Sequence, residues 1–109
     1  MSCLDHRALS ERLFFPRREG LDDPFLVETD GIRLACRRFN RFPNAGTLLH
    51  FHGNGEVVAD YVDEFAEMIL GIGVNLCLAE YRGYGASSGT PSLAAMLGDG
   101  ERIVETLGL

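Results

Sequence analysis

The residues best placed to do chemistry form two blocks, Phe51-His52-Gly53-Asn54-Gly55 and, about thirty positions on, Glu80-Tyr81-Arg82-Gly83-Tyr84-Gly85-Ala86-Ser87-Ser88-Gly89. Glycine has no Cβ, so a glycine-rich turn lets backbone N–H groups come close to a ligand. Such groups can hold an anion, or the negative oxygen that develops when a nucleophile adds to a carbonyl. Each block follows a short apolar run, Thr47 to Phe51 and Val74 to Ala79, and precedes a stretch with helical spacing. Both are therefore predicted strand-to-helix loops at one edge of a parallel sheet, the edge at which ligands bind.

The elements that position these loops are legible upstream and between them. Phe25 to Thr29 and Ile32 to Phe39 flank Asp30-Gly31, a dipeptide suited to the positive φ angles of a tight hairpin, so an antiparallel pair is predicted there. Ala8 to Phe15 is expected as a short helical lead-in and Asn40 to Gly46 as a turn. From Glu56 the spacing becomes helical, with Val57, Val58, Tyr61, Val62, Phe65, Met68 and Ile69 on one stripe and Gly71 or Gly73 at the end. A last helix is predicted with Thr90 as cap and Pro91 at its first position, carrying Leu93, Met96, Leu97, Ile103, Val104 and Leu107. Gly98 and Gly100 weaken it.

Composition narrows the function. With 109 residues, 46% hydrophobic and 24% charged, the chain is ordinary for one small domain, and no repeat or linker divides it. A net charge of −6 argues against a nucleic-acid partner, which needs a basic face. The cluster Arg33, Arg37, Arg38 and Arg41 is expected to be a solvated strand end. No apolar run approaches the ~20 residues of a membrane span, and no signal-peptide core opens the chain, so a cytoplasmic location is expected. Cys3, Cys36 and Cys77 lack C-x-x-C spacing, and the last two fall in strands as small buried hydrophobes. His50 and His52 share a strand face by alternation, but a catalytic metal needs a further protein ligand and no histidine follows. Gly83-x-Gly85-x-x-x-Gly89 imitates a dinucleotide-binding turn without its spacing, and Glu101 and Glu105 lie in a predicted helix. Neither metal nor cofactor is expected.

The two blocks together resemble the α/β-hydrolase-fold serine hydrolases. His52-Gly53-Asn54-Gly55 is similar to their oxyanion loop, and Glu80 to Gly89 to the loop after their fourth strand. The combination looks most like the branch of serine aminopeptidases and lysophospholipase-like acylhydrolases. Phe15-Pro16, Asp30-Gly31 and Thr90-Pro91 extend the likeness over nearly the whole chain. The resemblance implies an α/β fold class: residues 1–109 as the incomplete N-terminal part of one α/β-hydrolase domain, an antiparallel hairpin leading into a mostly parallel sheet with flanking helices. The implied strand order is first, second, fourth, third, with only the first two strands antiparallel.

The resemblance also assigns roles. The backbone N–H of Asn54, in its Gly53 and Gly55 setting, supplies one half of an oxyanion hole. His52 shapes the loop through its own hydrogen bonds. Glu80, where the family more often has aspartate, either pairs with Arg82 or leaves Arg82 to brace the neighbouring loop, with Gly83 and Gly85 as structural members. The nucleophilic serine, acid and histidine of the family's Ser…acid…His order are expected beyond Leu109. Gly85-Ala86-Ser87-Ser88-Gly89 spells G-x-S-x-G, but a nucleophile elbow needs a strand running straight into the turn and a helix starting at once. Tyr81 to Tyr84 and Thr90-Pro91 intervene, so Ser87 is expected to satisfy local backbone. The implied activity is cleavage of a small-molecule acyl ester, thioester or amide by the complete protein, with no metal or organic cofactor. The chain alone is expected to be inactive, the alternative being a truncated hydrolase-like protein with no enzymatic role. Its Thr47 to Phe51 edge strand is expected to favour self-association.

Overall fold

The computed structural model describes residues 13–109, so Cys3 and most of the expected Ala8 to Phe15 lead-in lie outside the described residues. Four strands, β1 (Phe25–Thr29), β2 (Ile32–Phe39), β3 (Thr47–Phe51) and β4 (Asn75–Ala79), form one sheet in the order β1-β2-β4-β3. The β1–β2 hairpin closes through Asp30 and Gly31 with φ of 50° and 75°, and its register pairs Thr29 with Ile32 and Phe25 with Cys36. That left-handed pair matches the twist of the flanking strands. The turn before β3 is closed by the buried Asn75, whose carboxamide accepts from Phe42 N and donates to Phe42 O.

Strand direction differs from expectation in one respect. β3 and β4 are parallel, but β2 runs antiparallel to β4 as well as to β1, pairing Arg37 with Leu78 and Phe39 with Leu76. The hairpin reverses the chain once, and the turn before β3 reverses it again. β4 enters the sheet between β2 and β3 in the direction of β3, so β2 alone opposes its neighbours on both sides.

β4 is buried along its whole length, which explains the apolar run Leu76 to Ala79 that follows the hydrogen-bonded Asn75. Alternate residues serve two cores. Leu76 and Leu78 pack with Phe39, Val58, Ala66, Ile69 and Leu70 on one face. Cys77 and Ala79 pack with Val27, Leu34, Cys36, Ile103 and Leu107 on the other. Desolvation pushes the Cys36 thiol up to about 12 and the Cys77 thiol up to about 11, so both act as apolar filling.

The helix expected from Glu56 is divided. Val58–Tyr61 form a 3-10 turn, and helix α1 spans only Glu64–Leu70. Asp63 between them has φ −101° and ψ −101°, outside helical geometry. The division moves the buried face: Ala66, Ile69 and Leu70 turn inward, whereas Met68 is 60% exposed. Helix α1 stops at Gly71, and Gly73 follows with φ 95°.

Helix α2 spans Leu93–Leu107 and starts later than expected. Its cap is Ser92, whose hydroxyl accepts from Ala95 N, and not Thr90. Pro91 instead packs against Gly83, where a Cβ would lie 2.5 Å from Pro91 Cδ. Ile103 and Leu107 face the core while Leu97 is 73% exposed, so the second half of the helix does most of the anchoring. Arg102 Nε donates to Glu28 O of β1 and Gly108 ends the helix in the left-handed region.

Two glycine substitutions separate helix propensity from packing. Gly98→Ala, with nothing within 4 Å of the added Cβ, is expected to raise stability by about 0.5–1 kcal/mol. Gly85→Ala, at φ 55° with Glu80 Oε2 only 2.6 Å from the added Cβ, is expected to cost about 2–4 kcal/mol. Chemical denaturation of the two variants checks both signs.

Candidate active site

The loops after β3 and β4 meet around a buried acid. Glu80 follows β4 directly, and its side chain is 1% exposed. Its Oε1 lies 2.5 Å from His52 Nε2 and accepts from Tyr81 N at 3.0 Å. Its Oε2 accepts from Val58 N at 2.8 Å. One carboxylate thus ties the start of one loop to both ends of the other. A glutamate reaches these donors because its longer side chain can turn back over the strand end, and Gly85 leaves room for it.

His52 is buried between Glu80 and its own loop. Nδ1 faces Gly53 O at 2.8 Å while Nε2 faces the carboxylate. Both partners are acceptors, and only the doubly protonated ring donates from both nitrogens. The basicity follows the same balance. Burial is the largest influence and pulls the His52 pKa down, but the hydrogen bonds to Glu80 and Gly53 O, with the nearby negative charge, outweigh it and leave the value above 6.5.

Aromatic hydroxyls close the arrangement. Tyr81 Oη donates to His52 O, and the fully buried Tyr84 donates to Asn54 Oδ1 at 2.6 Å. The His52 and Tyr81 rings meet edge to face at 4.5 Å.

Within the first loop, most backbone donors are already engaged. Gly53 N donates to Glu56 Oε1, Glu56 N to Gly53 O, Val57 N to Asp60 Oδ2 and Val58 N to Glu80 Oε2. Among the described residues, the N–H groups of Asn54 and Gly55 have no such partner. Glu56 is held below the usual carboxylate range, first by the hydrogen bond from Tyr61 and then by Gly53 N. The same bond pushes the Tyr61 hydroxyl up to about 12.

The second loop is a brace. Ser87 is fully buried and its Oγ accepts from Ala35 N at 2.8 Å, while Ser88 Oγ accepts from Arg33 N at 2.8 Å. These hydroxyls continue the edge of β2 past the end of its pairing with β4. Arg82 does not pair with Glu80. It forms a two-pronged bond to the buried Asp99 of α2, at 2.7 and 2.6 Å, and reaches Asp30 of the hairpin turn at 3.2 Å. Gly83 and Gly85 hold φ of 79° and 55°.

His50 and His52 do not present a joint ligand pair. β3 ends at Phe51, His50 packs against the rings of Tyr61 and Phe65, and both nitrogens of His52 are engaged. Burial, then the neighbouring His52, lowers the His50 pKa. Among the described residues, no three His, Cys, Asp or Glu side chains group in a way that could hold a metal ion.

Several residues of the site escaped the sequence reading. Glu56 and Asp60 each lie three positions after the backbone N–H they accept, a capping-box spacing that could have revealed them. Asp99, Arg17 and the carboxamide of Asn54 carry no such local signal.

No family model matches the chain. It is 32% identical over 88 residues to the alpha/beta hydrolase domain-containing protein WAV2 of Arabidopsis thaliana, a match that covers 79% of this chain and 29% of that protein. Its structure resembles the crystal structure of a predicted CIB-like hydrolase from Thermoplasma acidophilum, with TM-score 0.53 and 23% identity, covering 78% of this chain and 42% of the other. The chain has an α/β-hydrolase fold over the part of it that these residues span. It covers less than half the length of each of these two proteins. Among the described residues, no helix is long and apolar enough to cross a membrane.

The His52–Glu80 pair predicts a pH dependence. Because the folded pKa of His52 is raised above 6.5, its contribution to stability is complete below about pH 6.5 and is lost as pH rises through the folded value. Denaturation of the wild type from pH 5 to 9 is expected to show that decline, and Glu80→Gln to flatten it while lowering the His52 pKa read by NMR. Glu80→Ala, which strands three donors, is expected to cost about 3–5 kcal/mol.

Proposed function

We propose that this chain is the N-terminal part of a serine hydrolase domain that cleaves an acyl ester, thioester or amide, and that Asn54 N–H supplies half of its oxyanion hole. The observation that carries this reading is the selective engagement of the first loop. Its other donors hold the turn, while the N–H groups of Asn54 and Gly55 have no partner among the described residues. A donor kept in place and uncommitted can take up negative charge in the transition state without reorganising. As the nucleophile adds to the acyl carbonyl, the oxygen becomes negative and accepts from Asn54 N–H. A donor of this kind stabilises the transition state by about 3 kcal/mol.

The nucleophile, its acid and its base are then contributed from beyond Leu109. Ser87 is unsuited to the task because its Oγ is buried and committed to Ala35 N. The substrate is a small acyl compound, and neither metal nor organic cofactor takes part. The free, buried Cys36 and Cys77 suit a reducing compartment, in keeping with a cytosolic enzyme. β3 lies at the sheet edge with Leu48 and Phe51 partly exposed, so a further strand of the same domain can add there.

A fluorophosphonate probe is expected to label the full-length protein on one serine beyond Leu109. Ser87 and Ser88 should remain unmodified in peptide mapping. Stoichiometric modification of Ser87 would overturn the assignment.

A further inference from the structure

The segment ahead of the sheet makes contacts that the hydrolase reading does not use. Residues Leu13 to Glu19 run across both loops of the candidate site. Phe15 N donates to Asn54 Oδ1 at 2.9 Å and Asn54 Nδ2 donates to Leu13 O at 2.5 Å, so the carboxamide pairs with the arm's backbone as a neighbouring strand would. Arg17 adds a second grip. Its Nη1 donates to Asp60 Oδ2 at 2.8 Å and to Gly55 O at 3.4 Å, and its Nη2 reaches Asp60 Oδ1 at 3.3 Å. Asp60 Oδ2 is also the acceptor for Val57 N, so Arg17 supports a bond internal to the loop. On the other side, Gly85 N donates to Arg17 O at 2.7 Å, Glu19 N to Gly85 O at 3.2 Å and Arg18 Nη1 to Ser87 O at 2.6 Å.

The peptide whose N–H is assigned to the oxyanion therefore belongs to a residue clamped by its side chain. The carboxamide of Asn54 is held by the arm on one side and by Tyr84 Oη on the other, and the carbonyl of the next residue is held by Arg17. We propose that the arm Leu13–Glu19 is a positioning strap that sets the orientation of the Asn54 N–H, with Arg17 and the Asn54 carboxamide as its positioning residues. This rests on the hydrolase reading above. It assigns to the arm a role in the rate of the chemical step, distinct from substrate binding. The planar fork of arginine is needed because one side chain serves a carboxylate and a carbonyl together, which a lysine ammonium does not do with the same geometry.

Arg17→Ala and Arg17→Lys in the full-length protein test the strap. Arg17 is half-exposed and an exposed ion pair adds little to global stability, so both variants keep the fold. Two measurements are made: amide exchange at Gly53, Glu56, Val57 and Gly85, and steady-state hydrolysis of p-nitrophenyl acetate. Arg17→Ala is expected to speed exchange at these amides about tenfold. It is also expected to lower kcat about tenfold at nearly unchanged KM, with Arg17→Lys intermediate. Wild-type hydrolysis together with unchanged kcat in Arg17→Ala would overturn the strap, whether or not exchange changes. No hydrolysis and no fluorophosphonate labelling in the wild type would overturn the hydrolase reading, and the strap with it.

Discussion

A buried carboxylate that must be fully satisfied organises this structure. Glu80 sits at the end of the most buried strand, where an unpaired charge would be costly, and it finds donors in His52, Val58 and its own neighbour Tyr81. Two of those donors belong to the loop after β3. The loop therefore cannot take another path without leaving a charge unpaired, and its geometry is set by an electrostatic requirement more than by local turn preference. His52 also orders the peptide that follows, because its second nitrogen lies 2.8 Å from Gly53 O.

The rest of the site builds outward from that hub in concentric ties. Tyr81 and Tyr84 fasten the second loop to the first through hydroxyls, Ser87 and Ser88 fasten it to β2, and Arg82 fastens it to α2 and the hairpin. The N-terminal arm closes over both. Almost every polar group near Asn54 is committed to holding shape, which leaves a small number of backbone donors available for a ligand. Preorganised donors of this type owe their strength to the cost already met in folding.

The sheet supplies the rigid frame. β4 presents Leu76 and Leu78 to one core and Cys77 and Ala79 to the other, so a shift of one residue would exchange both cores and move Glu80 away from His52. Core register and site geometry are thus one constraint. The division of the chain after Glu56 into a 3-10 turn and a short helix belongs to the same logic, since Glu56 and Asp60 spend their carboxylates on loop donors and the helix begins only after they have done so.

Local chemistry was enough to reveal the strands, the Asp30-Gly31 turn and the two glycine-rich loops, because each depends on periodicity, on φ angles or on what lies within a few positions. For Ser87 it suggested a local backbone partner, whereas the hydroxyl accepts from Ala35 N, 52 positions away. The likeness of His52 to Gly55 and of Glu80 to Gly89 to known hydrolases carried the strand order as well. The direction of β2 relative to β4, the late start of α2 and the exposure of Met68 depend on which segments meet, and the family likeness, the Thr90-Pro91 capping signal and helical spacing respectively misjudged them. The partners of Glu80 and Arg82 were decided only in three dimensions. His52 and Glu80 are 28 positions apart and Arg82 and Asp99 are 17 apart, distances over which side-chain type gives no preference for one partner over another until packing brings a single donor and a single acceptor together in a place without water.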